Sequence, residues 1–137
     1  MKMRRLRPAA LLFLMTGLAI LLPILGGCQG WTMDYGRPAA QFETRDAIAL
    51  APDYLRKKVS VRGRVSAVDT SDPEHCVVKL NHGVTAHFGT FKAAAEACKV
   101  GEVVHLDGIV KAADPSGITL DPAFGRDPQA PFAPVRP

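Results

Sequence analysis

Lys58-Val59-Ser60-Val61-Arg62-Gly63-Arg64-Val65-Ser66-Ala67-Val68 is the stretch whose reading decides the fold. Val59, Val61, Val65 and Ala67 fall on one side of a two-residue period, and Ser60, Arg62, Arg64 and Ser66 on the other. That alternation is the pattern of a strand with one face in a core. Gly63 takes an inward position, where a missing side chain permits the bend a long strand makes on entering two layers of a small barrel.

Downstream, the same period predicts a second strand from His75 to Leu80, with Cys76, Val78 and Leu80 inward, and a third from Val84 to Phe88, with Val84, Ala86 and Phe88 inward. Asn81-His82-Gly83 between them has the form of a three-residue hairpin with Gly at the left-handed position. This register sets Leu80 opposite Val84, Val78 opposite Ala86 and Cys76 opposite Phe88. The period then changes: Phe91 to Cys98 is Ala-rich and helical, with Thr90 as its cap. Val103 to Lys111 reads as a fourth strand with Val104, Leu106 and Val110 inward. Asp114-Pro115-Ser116-Gly117 is a turn, and Ile118 to Leu120 a short last strand. Upstream, Thr44 caps a helix over 45–51 whose apolar stripe is Ala47, Ile48 and Ala51. Residues 29–43 lack periodicity and read as a tether; the prolines at 122, 128, 131, 134 and 137 predict a disordered tail over 122–137.

Three antiparallel strands, a helix and two further strands, preceded by a short N-terminal helix, is a mainly β order: that of the five-stranded OB-fold barrel, over 44–121. The alternative is an open five-stranded α+β sheet. Tyr54 to Val65 (YLRKKVSVRGRV) and Lys99 to Val110 (KVGEVVHLDGIV) each place a turn ahead of a strand and a Gly inside it. In this the segment resembles the tRNA-anticodon-domain-like family of small bacterial OB-fold proteins. The resemblance implies the fold, brings no catalytic residues, and implies no tRNA binding in a periplasmic member.

At the amino end, Lys2, Arg4, Arg5 and Arg7 precede an apolar run from Ala9 to Leu25, the form of a secretory signal over 1–27. Leu25-Gly26-Gly27-Cys28 resembles the lipobox of bacterial lipoproteins. The resemblance implies cleavage between Gly27 and Cys28, a diacylglyceryl group on the Cys28 thiol and an acyl group on the new amino end, with no other cofactor. Two or more acyl chains make membrane attachment effectively permanent. Gln29, where an Asp would favour retention in the inner membrane, implies the outer membrane, with the domain facing the periplasm.

The net charge of +4 belongs to the signal: beyond Gly27, thirteen Lys and Arg face thirteen Asp and Glu. A nucleic-acid binder carries a basic excess, so no nucleic acid is expected as partner; an envelope protein or polysaccharide is. Nothing assigns a nucleophile with its base, and no enzyme is expected.

Candidate sites remain. Cys76 and Cys98 form a candidate disulfide in an oxidising compartment, with two buried free thiols as the alternative. Arg62, Arg64, Lys79, Thr85 and His87 are outward on the strands of the usual OB binding face. Asp69, Asp72 and Glu74 lie in the loop after the first strand and are a candidate cation loop, although the EF-hand pattern is missing. The four His residues, 75, 82, 87 and 105, show no metal-ligand spacing. The expected function is a membrane-anchored, non-catalytic binding or scaffolding module; the alternative is a periplasmic small-ligand or cation-binding stress module.

Overall fold

The structure is a computed structural model and describes residues 37–137. The elements are β1 (Ala40–Glu43), α1 (Thr44–Leu50) continued by a 3₁₀ turn at Ala51–Tyr54, β2 (Lys58–Asp69), β3 (Cys76–Leu80), β4 (Val84–Gly89), α2 (Lys92–Ala97), β5 (Val103–Asp114) and β6 (Gly117–Gly125).

The strands follow one another in the order β1-β2-β3-β4-β6-β5, and β5 returns to β2. That last pairing closes β2, β3, β4, β6 and β5 into a five-stranded barrel, the expected OB-fold, and excludes the open sheet. Closure is possible because β2 serves two neighbours in succession. Lys58 to Arg64 pairs with Ile109 to Val103 of β5, whereas Val65 to Asp69 pairs with β3. β4 and β6 run parallel, Val84 to Ala86 against Ile118 to Leu120.

The predicted inward residues Val59, Val61, Val65, Val78, Leu80, Val84, Ala86, Phe88, Leu106 and Val110 are all buried in one core. A register shift between Val65 and Ala67 interrupts the alternation, so Ala67 turns to solvent and Val68 packs on the core instead. A second shift between Cys76 and Val77 places Cys76 opposite Gly89, where simple alternation put Phe88. A bulge adds one residue to one strand and reverses every facing beyond it, and composition does not announce it.

Gly63 is needed for a different reason than bending. A Cβ there would lie 2.3 Å from Thr44 Cγ2 and 2.9 Å from Asn81 Oδ1. Thr44 does not cap α1; Glu43 holds the cap position, and the buried Thr44 hydroxyl donates to Asn81 Oδ1 at 2.7 Å. Thr90 likewise does not cap α2, whose cap position is Phe91.

The ends depart from the expected boundaries. Residues 40–43 are not tether: β1 lies parallel to β2, Ala40 beside Val59, and Phe42 is fully buried. The Ala40-x-Phe42 alternation was the available signal, too short to stand against the Gly and Pro around it. β6 runs to Gly125 through Pro122, which falls in the shifted register between Gly108 and Val110 of β5; a bulge is where a strand tolerates a residue without an N–H. Beyond it the chain is not a disordered tail. Gln41 binds it three times, its side chain accepting from Ala133 N at 2.7 Å and donating to the Pro131 carbonyl at 3.2 Å, and its own carbonyl accepting from Val135 N at 2.8 Å. Phe132 sits under the Arg62 guanidinium at 4.6 Å and edge-on to His105 at 5.1 Å.

Candidate functional site

The outer surfaces of β3 and β4 meet the β5–β6 hairpin at a shallow open groove of about 360 Å³. Its walls carry four hydroxyls, from Ser66, Thr85, Ser116 and Thr119, and two opposite charges, from Lys79 and Asp114. Lys79 and Thr85 face one another across the β3–β4 ladder. Ser66 is fixed there by donating to the Lys79 carbonyl at 3.2 Å.

The hairpin wall is held rigidly by its own turn. Asp114 accepts from the Ser116 amide at 2.7 Å and from the Ser116 hydroxyl, an Asx arrangement that short polar side chains favour in turns. The hydroxyl first and the amide second hold the Asp114 carboxyl below its usual range. Gly117 allows the two hairpin tips to touch, since a Cβ there would meet the Gly83 carbonyl oxygen at 2.5 Å. The groove therefore offers a cation, a carboxylate and hydroxyls that both donate and accept, and no aromatic ring. That set suits a polar ligand held by hydrogen bonds.

Of the expected binding face, Lys79 and Thr85 line the groove. Arg64 is exposed beside it, with its guanidinium donating to the Gly101 carbonyl. His87 is half-buried on β4 opposite Val77. Arg62 is not part of that face: it pairs with Glu43 and stacks on Phe132 beneath the C-terminal segment. Alternation placed Ser66 outward but could not select it, and Asp114, Ser116 and Thr119 were legible only as turn and strand residues.

The other candidates resolve as follows. Gly27 and Cys28 lie outside the described residues, as does the signal. Cys76 and Cys98 are not bonded; both are buried free thiols. Each sulfur points to carbonyls of its own segment, Cys76 to Asp72 and Pro73 at 3.7 and 3.8 Å, Cys98 to Ala94 at 3.7 Å. Burial pushes the Cys98 thiol up. In the candidate cation loop, Asp69 accepts from the Ser71 amide and hydroxyl, and Asp72 from the Glu74 amide and His75 Nδ1 at 2.8 Å. These bonds hold both carboxyls below their usual range and turn them to the loop's own donors. Among the described residues no three His, Cys, Asp or Glu gather as ligands.

A buried polar cluster lies elsewhere, on the outer side of β2 and β5. Asp107 accepts from the Ser60 hydroxyl, pairs with Lys58 Nζ at 3.8 Å and receives Arg126 Nη1 at 3.3 and 3.4 Å. Ser60 and Asp107 are buried although they face away from the core, with the Lys58 and Arg126 side chains set against the carboxylate.

No protein-family profile matches the chain, and no curated protein matches it. Among solved structures, it is similar to a lipoprotein of Klebsiella pneumoniae subsp. pneumoniae for which nucleic-acid binding has been proposed. The two are 22% identical with a TM-score of 0.51, over 64% of this chain and 91% of that one. A Leishmania major protein assigned provisionally as an aspartyl-tRNA synthetase is 14% identical with a TM-score of 0.46, over 80% of this chain and 26% of that one, a level that carries no argument. The first likeness is one of fold. It overturns the expectation that no nucleic acid is a partner, because a protein of this same fold has been proposed to bind one. The physical error lay in averaging: a neutral total says nothing about one face of a barrel.

Proposed function

We propose that the chain is a membrane-anchored, non-catalytic OB-fold module of the bacterial envelope that holds a protein or another envelope component in the groove between β3, β4 and the β5–β6 hairpin. The observation that carries this reading is the convergence of Lys79, Asp114 and four hydroxyls on one open surface, at the strands and loop by which OB-folds bind. The Cys28 anchor supports the location. The test is capture from crosslinked envelopes by the wild-type chain and by Lys79→Glu and Thr85→Tyr variants. A specific ligand is lost by about tenfold or more in the variants, the equivalent of about 1.4 kcal/mol; capture indifferent to both changes would remove the groove from the reading.

A second reading is favoured by exposed Arg64 on β2 and exposed Lys79 on the neighbouring β3, with half-buried His87 on β4 beyond them: a single-stranded nucleic acid held by its backbone. With no ring lining the groove, stacking contributes little and phosphate contacts carry the affinity. Two such contacts give a salt dependence with a slope of roughly −1.4. Oligonucleotide binding that is absent at low salt would dismiss this reading and leave the first.

A further inference from the structure

One end of the barrel collects exposed cations around an exposed apolar side chain. Leu55 stands at the tip of the turn into β2 and is 47% exposed, and Arg56 and Lys57 follow it, both exposed. The turn is pinned to β5 on both sides of Arg56: its amide donates to the Val110 carbonyl at 2.7 Å, and the Val110 amide to the Lys57 carbonyl at 3.1 Å. Arg56 is thereby held at φ 63°, a conformation a non-glycine residue keeps only where its surroundings enforce it. The chain enters the barrel at this same end, where the Ala39 amide donates to the Lys58 carbonyl at 2.7 Å, and exposed Arg37 lies two residues earlier. Among the described residues, the acidic groups of this end are Asp53, exposed in the preceding turn, and Asp121, which is paired with Lys111 at 3.2 Å. The cations at 37, 56 and 57 therefore outnumber the free carboxylate.

Eight residues, 29–36, separate Cys28 from Arg37, nine steps of chain with a reach of about 30 Å at full extension. We propose that this end of the barrel, with Leu55 flanked by Arg56, Lys57 and Arg37, docks on an anionic lipid surface. The proposal rests on Cys28 being acylated, which confines the entry point of the chain to the neighbourhood of the bilayer. Basic residues near an anionic leaflet are attracted to it, and an apolar side chain among them enters the interface. The docking residues 37 and 55–57 are not among those that line the groove.

The experiment uses the full acylated chain in vesicles of phosphatidylcholine alone or with about a third phosphatidylglycerol, a composition that gives a strongly anionic surface. A polarity-sensitive dye is attached after Leu55→Cys or, as the control, Val100→Cys, which is 66% exposed on the turn before β5. Cys76 and Cys98 are buried and leave the new thiol as the reactive one. The dye at 55 shifts to the blue and is quenched by lipid-borne quencher in anionic vesicles alone. The dye at 100 stays in water, and Arg56→Glu with Lys57→Glu abolishes the shift at 55. A chain that floats with the vesicles while its dye at 55 behaves like that at 100 overturns the docking and leaves the anchor standing. A chain that does not float overturns the anchor and the docking together.

Discussion

Replacing Gly63 by Ala tests why the central strand carries a glycine at its midpoint. The added Cβ would lie 2.3 Å from Thr44 Cγ2, 2.7 Å from Thr44 Oγ1 and 2.9 Å from Asn81 Oδ1. Thr44 is 3% exposed and cannot swing into solvent. Something in the packed layer between α1 and the β3–β4 turn must move, and overpacking of this kind costs about 1–3 kcal/mol. The displaced Thr44 hydroxyl also loses its bond to Asn81, worth about 1 kcal/mol. We expect a loss of about 3 kcal/mol, which in a domain of this size lowers Tm by more than roughly 10 °C. Thr44→Ser removes Cγ2 while keeping the hydroxyl, so it should recover about half of the loss in the Gly63→Ala background although it destabilises the wild type. Urea unfolding of the four members of this cycle measures the coupling. A Gly63→Ala variant within about 0.5 kcal/mol of wild type, the range of an inconsequential surface change, or a cycle without coupling, would show that Gly63 serves strand bending after all.

Four further outcomes follow from the same geometry. Asp107→Asn leaves Lys58 and Arg126 facing each other without their shared carboxylate, and should cost about 3 kcal/mol in chemical unfolding; a loss no larger than that of an exposed Asp would mean the cluster contributes nothing. His105 is held below its usual range by burial first and then by Arg62 and Arg126, so the unfolded chain takes up a proton before the folded one as pH falls. Stability should therefore be complete above about pH 6.5 and decline below it, as read by Tm between pH 7.5 and about 5, and His105→Gln should flatten that decline. The Cys76 and Cys98 thiols should resist an aromatic disulfide reagent in the folded protein and both titrate in urea; a reductant that lowers Tm would instead reveal a bond between them. Gly117→Ala should push the hairpin tips apart at the Gly83 carbonyl and weaken groove binding more than it lowers Tm.

Val59, Val61, Val65, Val78, Leu80, Val84, Ala86, Phe88, Leu106 and Val110 were assigned inward from their period alone, and all are buried. A two-residue period reports directly which side of a strand meets the core, and hairpin turns report which strands are neighbours, so the barrel order was legible. What no pattern in line could state was what crosses from one segment to another. The register shifts, the parallel β1 beside β2 and the run of β6 past Pro122 all depend on a partner strand supplying the pairing. Thr44 read as a cap and turned out to fill the space above Gly63, because a side chain's nearest partner in the fold was 37 positions away at Asn81. Lys79 and Thr85 were visible as outward residues, but the hairpin that makes their surface a groove, and the tail that takes Arg62 away from it, come together only when the barrel closes. Alternation is local chemistry repeated along the chain, whereas a site is the meeting of segments, and that meeting is decided by packing.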